Sequence, residues 1–226
     1  MLIRFVIQNV LSFDCQREFN LLPAPRYSRL NHHKYKPGKS LELLKMSAIY
    51  GANGAGKSNL VMAIGYLREI VTTGDIPGRL GSSWFHLDPT NEKKPQLLAA
   101  EFFTEGFSWL YAIEINNGLV TIEELYKTSG GKTENELVFS RETSADQKTS
   151  IKFFDGFESN PENLVLKSVI EKTLAKPDKP IFKLLSSIDN AQLSPVKSAY
   201  TWFRDKLKII LPNSRPVTLA YEMGSS

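Results

Sequence analysis

The clearest chemical signal lies in residues 51–58, which read Gly-Ala-Asn-Gly-Ala-Gly-Lys-Ser and match the pattern G-x-x-x-x-G-K-[ST] in full. Glycines in such a loop let the backbone turn tightly and direct several N–H groups at one phosphate. The Lys57 ammonium should then reach the β and γ phosphates, and the Ser58 hydroxyl should fill one coordination position of Mg²⁺. The motif predicts a site for a nucleoside triphosphate, with Lys57 as catalytic residue and Ser58 as metal ligand.

The elements on both sides of the loop favour this prediction over a glycine-rich turn without a ligand. Residues 45–50 predict a short buried strand that leads into the loop. Leucine, isoleucine and valine recur at helical spacing after it and predict an amphipathic helix over residues 57–73. The positive end of the helix dipole would point at the phosphate. The backbone predicted to cradle that phosphate belongs to Asn53, Gly54, Ala55 and Gly56.

The rest of the chain predicts a β-rich segment followed by helices. Residues 2–10 and 16–22 are typical of a β-hairpin. Five further strands are predicted at 97–103, 108–115, 119–126, 136–140 and 150–154, and three helices at 161–175, 180–189 and 195–209. We expect an α/β fold whose mixed sheet is partly parallel around Tyr50 and antiparallel beyond Trp84. The expected segments are 1–83 (hairpin, loop and first helix), 84–160 (antiparallel β lobe) and 161–226 (helical segment).

Composition narrows the class of protein. The chain has 226 residues, of which 42% are hydrophobic, and 28 basic against 24 acidic residues leave a net charge of +4. It has one cysteine, no apolar run of membrane-spanning length and no signal-peptide pattern, so we expect a cytoplasmic protein without membrane contact. The loop at 23–40 is basic, with Arg26, Arg29 and Lys39 among its cations. It is either a solvated loop or a contact for phosphate or nucleic acid.

Two segments carry a resemblance to a known family. Residues 50–59, Tyr-Gly-Ala-Asn-Gly-Ala-Gly-Lys-Ser-Asn, resemble the loop of ABC-type ATPases of the chromosome-maintenance and recombination kind, and of bacterial AAA-type ATPases of the OLD-like and abortive-infection kind. Residues 7–13, Ile-Gln-Asn-Val-Leu-Ser-Phe, are similar to the opening strand and turn of those proteins. The resemblance implies a P-loop NTPase head of ABC type, with ATP and Mg²⁺ as cofactors. It also implies that Ser12 and Asn59 lie near the nucleotide.

The same resemblance implies partners and a mechanism. In such proteins two heads enclose ATP, and its hydrolysis drives a conformational switch, often in phage defence. A second ATPase protomer, an effector nuclease or toxin, and nucleic acid are therefore the candidate partners. A Trp-Phe pair, here Trp202 and Phe203, follows the strand-rich segment in these proteins.

The chain departs from the family in one respect. Those heads contain a strand of four apolar residues followed by an acidic pair, and the nearest match here, residues 151–155 (Ile-Lys-Phe-Phe-Asp), is interrupted by a lysine. The chain therefore resembles the amino-terminal part of a head, and we expect ATP hydrolysis to need the carboxy-terminal half of that head as well as a second protomer. Gln96 and Gln192 are both candidates for the glutamine that contacts Mg²⁺ in such heads. Two other functions stay open: a nucleotide-responsive scaffold without turnover, and a small-molecule phosphotransferase, although no arginine-rich lid is evident.

Overall fold

An alternating pattern of buried and half-exposed residues builds the central sheet of the protein. The computed structural model describes residues 1–24, 30–38, 41–129 and 135–211. The strands in this part of the chain are β1 Leu2–Gln8, β2 Arg17–Asn20, β3 Lys34–Tyr35, β4 Leu43–Leu44, β5 Gln96–Thr104, β6 Phe107–Asn116, β7 Leu119–Ser129, β8 Glu136–Thr143 and β9 Thr149–Phe153. In β1 the buried side chains are Ile3, Phe5 and Ile7, so one face of this strand points into the core.

Seven of these strands form one sheet in the order β2-β1-β5-β6-β7-β8-β9. Every strand pair in it is antiparallel, with Phe5 opposite Ala100 on the β1–β5 boundary. The turn between β6 and β7 uses Asn117 and Gly118, both with positive φ, as expected for a two-residue hairpin turn. The predicted hairpin and all five predicted strands of the β lobe are confirmed.

Helices cover the core-facing side of this sheet. They are α1 Lys57–Thr73, α2 Gly78–Gly81, α3 Pro161–Val169, α4 Phe182–Ser187 and α5 Ser194–Thr201, and single π-helical turns, Ile170–Leu174 and Trp202–Lys206, extend α3 and α5. Leu67, in α1, is fully buried in the same core as the sheet residue Phe102. Trp202 stacks on Phe102 with ring centroids 4.2 Å apart, so the Trp-Phe pair closes the core beside α1.

A buried polar cluster ties the helical segment to the sheet. Glu123, in β7, lies opposite Arg141 in β8, and both are fully buried. The Glu123 carboxylate accepts hydrogen bonds from the N–H groups of Ile181 (2.8 Å) and Phe182 (3.0 Å) at the start of α4, and from the Tyr111 hydroxyl (3.1 Å). Burial raises the pKa of Glu123, although these hydrogen bonds and the Arg141 guanidinium oppose the rise. The Glu123 carboxylate therefore ties the start of α4 to the sheet through backbone hydrogen bonds.

The prediction for residues 45–50 is wrong. This segment forms no strand, and no parallel strand pair occurs among the residues that the structure describes. The side chains of Met46, Ile49 and Tyr50 are 73%, 45% and 90% exposed. An apolar run becomes a buried strand only where another strand pairs with it, and among the described residues no strand lies beside residues 45–50. The mixed sheet expected from the sequence is antiparallel throughout its described strands.

The positive charge of the basic loop is partly neutralised by a nearby acidic residue, Glu42. Lys34 and Lys36 both form ion pairs with Glu42, at 3.2 and 2.5 Å. Arg26, Arg29 and Lys39 lie outside the described residues, so the alternative of a nucleic-acid contact stays a prediction. Among the helices that the structure describes, none has both the length and the apolar character needed to cross a bilayer.

Candidate nucleotide-binding site

The loop at residues 51–58 has the backbone conformation that its glycines permit. Gly54 and Gly56 adopt the left-handed region, with φ of 82° and 83°, and α1 begins at the next residue, Lys57. A backbone hydrogen bond of 3.2 Å from Ala55 to Ala52 closes the turn. Residues other than glycine rarely adopt this backbone conformation. The two glycines therefore carry the chain around a tight turn to the amino terminus of a 17-residue helix.

The Lys57 side chain folds back over this loop. Its Nζ donates hydrogen bonds to the carbonyl oxygens of Gly51 (2.7 Å) and Ala52 (2.6 Å). An ammonium group has three donors, so these two bonds leave one donor for an acceptor above the loop. The positive charge is thereby held against the loop before any ligand arrives, next to the positive end of the α1 dipole.

Ser12 lies directly against the loop, although 44 positions separate it from Gly56 in the sequence. A Cβ atom placed on Gly56 would meet the Ser12 Oγ at 2.6 Å. Ser12 belongs to the turn between β1 and β2, which a Val10–Phe13 bridge closes. The structure thus places Ser12 beside the loop, and its contact with the nucleotide stays a prediction.

The turn that presents Ser12 has an unusual backbone. Asn9 and Leu11 both have positive φ, at 52° and 55°, which costs about 1 kcal/mol or more for a residue such as leucine. Asn9 is fully buried, and its side chain donates to the carbonyl oxygens of Asn91 (2.8 Å) and Lys94 (2.9 Å). Asn9 had no role predicted from the sequence. Its place directly before an apolar pair and Ser12 was the only available signal.

The remaining residues of the predicted site differ in how much solvent reaches them. Asn53, Gly54, Ala55 and Ser58 are exposed, whereas Asn59 is half-buried at the start of α1. Ser58 also stands at one end of a groove of about 700 Å³ that follows α1. The groove is lined in part by Met62, Tyr66, Ile209 and Leu211. The loop is thus accessible to a solvent-borne ligand, and Ser58 can contact a hydrated cation.

Neither of the two candidate glutamines hydrogen-bonds to the loop, and the acidic residue of the nearest motif match lies away from it. Gln96 is buried and donates to the carbonyl oxygen of Leu80, and Gln192 accepts from Asn163. Asp155 follows β9, which lies five strand spacings from β1, about 24 Å. In the described part of the chain, the hydrogen bonds and ion pairs formed by Lys57 and Ser58 include no carboxylate, and no group of acidic, histidine or cysteine side chains is placed to hold a metal ion.

The glycine loop and the helix that begins at its end are the local features of a P-loop, whereas the antiparallel sheet is consistent with a P-loop domain but not specific to it. Residues 46–209 match the protein family described as "AAA domain, putative AbiEii toxin, Type IV TA system". Because this match covers well over half of the chain, the protein belongs to that family of AAA domains, which have the P-loop NTPase α/β fold and are associated with nucleotide binding and ATPase activity. No curated protein and no solved structure was found to match the chain.

Proposed function

We propose that the protein binds ATP with Mg²⁺ at residues 51–58 and hydrolyses the ATP as an ABC-type head. Backbone N–H groups from Asn53 to Lys57 hold the phosphates, the Lys57 ammonium neutralises them, and the Ser58 hydroxyl binds the metal ion. Ser12 and Asn59 complete the site from the turn after β1 and from the first turn of α1. The observation that carries the proposal is the Lys57 ammonium, which two loop carbonyls hold with one donor still available.

Hydrolysis in this proposal requires a second protein surface. An attacking water needs a carboxylate or an equivalent group to orient it, and among the described residues no acidic side chain bonds to Lys57 or Ser58. The adjoining residues Met46 and Tyr50 are 73% and 90% exposed, which supports a contact at this end of the molecule. A second ATPase protomer would close over the bound nucleotide, and the carboxylate would come from a part of the head outside the described residues.

The biological role that we propose follows the family. The description of the matched family names a toxin of a type IV toxin–antitoxin system. Together with the resemblance to abortive-infection and OLD-like ATPases, it supports a role in phage defence or nucleic-acid processing in the cytoplasm. An effector nuclease or toxin, or nucleic acid, would receive the conformational change.

Replacement of Lys57 tests the proposal. In the full-length protein, Lys57→Ala should lower the ATPase rate at least about 100-fold, because a positioned charge that stabilises the transferred phosphate is lost. The thermal midpoint should stay the same, since the two Lys57 hydrogen bonds lie at an exposed site. Lys93→Ala is the matched control, because Lys93 is an exposed lysine outside the loop. Normal phosphate release by the Lys57 variant would contradict the proposed site.

The second candidate function is a nucleotide-responsive scaffold that regulates an effector without turnover. The lack of a carboxylate beside the loop, among the described residues, favours this function. This protein would dimerise in the presence of ATP and release no phosphate. Light scattering with a phosphate-release assay on the same sample separates the two functions.

A further inference from the structure

A pair of aromatic rings lies in the segment between α2 and β5. Trp84 and His86 have ring centroids 4.1 Å apart with an interplanar angle of 45°. Trp84 is partly exposed and His86 is exposed, whereas the other two tryptophans, Trp109 and Trp202, are 1% and 3% exposed. Within the described chain, His86 is the ring that Trp84 contacts, and the Trp84 indole N–H has no hydrogen-bond acceptor. The pair therefore keeps aromatic surface and one donor available to a ligand.

Hydrogen bonds on both sides of Trp84 fix this segment to the turn after β1. The Ser83 carbonyl oxygen accepts from the Leu11 N–H at 2.5 Å, and the Phe85 N–H donates to the Asn9 side chain at 3.1 Å. A third contact, from the His86 ring to the Ser82 carbonyl oxygen at 3.0 Å, orients the imidazole. The backbone that carries the two rings is therefore held from the same turn at two points.

That turn is also the one that places Ser12 against Gly56. Leu11 bonds to Ser83, which precedes Trp84, and the next residue, Ser12, contacts the loop. The segment of the aromatic pair and the phosphate loop are thus contacted by adjacent residues of one turn. A ligand with an anionic end on the loop and a flat aromatic end has both of its partners on this framework.

We propose that Trp84 and His86 form the base-binding platform of the nucleotide site, with a preference for purines. The inference rests on the proposed function, since it needs phosphates on residues 51–58. Stacking on an aromatic side chain stabilises a bound base, and a two-ring purine offers more surface for it than a pyrimidine does. The free indole N–H adds a donor for a ring nitrogen or a ribose oxygen.

The experiment compares ligands with and without a base. Isothermal titration calorimetry on the full-length protein, in the presence of Mg²⁺, measures binding of ATP, CTP and inorganic tripolyphosphate. Trp84→Leu should weaken ATP binding about 5- to 100-fold, the range expected for loss of one stacked base, and should leave tripolyphosphate binding unchanged. The wild-type preference for ATP over CTP should shrink in the same variant.

Three further variants keep the result interpretable. Trp84→Phe retains a ring and should recover most of the ATP affinity, and His86→Ala should weaken ATP binding in the same direction as Trp84→Leu. Leu87→Ala is the matched control, because Leu87 is 87% exposed in the same segment. Thermal melts verify that each variant folds. If Trp84→Leu does not fold, the platform is supported only if His86→Ala weakens ATP binding more than Trp84→Phe does.

Each remaining outcome overturns the platform. If Trp84→Leu weakens ATP and tripolyphosphate equally, Trp84 acts through the turn and not on the base. If it weakens neither while the wild type binds both, the platform is wrong and the phosphate site stands. If the wild type binds neither ligand, the proposed function fails and the platform fails with it.

Discussion

The contact between Ser12 and Gly56 can be tested by adding a single methyl group to the loop. In Gly56→Ala, the new Cβ would lie 2.6 Å from the Ser12 Oγ, closer than any normal contact, at a residue with φ of 83°. The left-handed conformation alone costs about 1–2 kcal/mol for alanine. The overlap adds about 1–2 kcal/mol, because the Ser12 hydroxyl has to turn about χ1 away from the position in which it packs against the loop. We expect Gly56→Ala to lower the free energy of unfolding by about 2–4 kcal/mol.

Gly54 provides the matched control for this substitution. Its φ of 82° is the same within a degree, but a Cβ placed on it would meet no atom within 4 Å. Gly54→Ala should therefore cost only the conformational part, about 1–2 kcal/mol. The difference between the two variants isolates the contact with Ser12.

A double-mutant cycle then assigns the difference to Ser12. Ser12→Ala removes the Oγ, and the atom left nearest to the new methyl group is the Ser12 Cβ, at 3.6 Å. Combined with Gly56→Ala it should restore about 1–2 kcal/mol, whereas combined with Gly54→Ala it should restore nothing. Urea unfolding of all variants, analysed by linear extrapolation, gives the required free energies. Equal costs at Gly54 and Gly56, or strict additivity with Ser12→Ala, would falsify the described packing of the turn against the loop.

Two further predictions concern the packing behind the site. Leu67→Ala should lower the free energy of unfolding by about 2–5 kcal/mol in urea, because Leu67 is fully buried under the sheet. Leu87→Ala, at an exposed position, should change it by less than about 0.5 kcal/mol. Similar costs at both positions would contradict the docking of α1. Because burial raises the pKa of Glu123, the folded chain binds the carboxyl proton more tightly than the unfolded chain does. The stability of the wild type relative to Glu123→Gln should therefore fall as pH rises above the ordinary glutamate value of 4.5. Urea unfolding across a pH series checks the sign, and a wild-type advantage over Glu123→Gln that grows with pH would refute it.

Local sequence patterns predicted much of the secondary structure and the phosphate loop. The helix over residues 57–73 follows from apolar side chains at helical spacing, and the β6–β7 turn follows from residues that tolerate positive φ, Asn117 and Gly118. Lys57 could be proposed as a phosphate contact from the sequence because the loop carbonyls that hold it lie within six positions along the chain. These features depend on short-range interactions, which a linear sequence displays directly.

Long-range contacts were decided only when the chain folded. Asn9 hydrogen-bonds to residues 82 and 85 positions away, and Glu123 receives N–H groups from α4 almost 60 positions later. The apolar segment at residues 45–50 resembles a buried strand in composition, yet burial depends on whether another strand lies beside it, and none of the described strands does. Sequence composition measures how readily a segment would be buried. Which surface covers it, and which side chain meets Gly56, depends on how distant parts of the chain pack together.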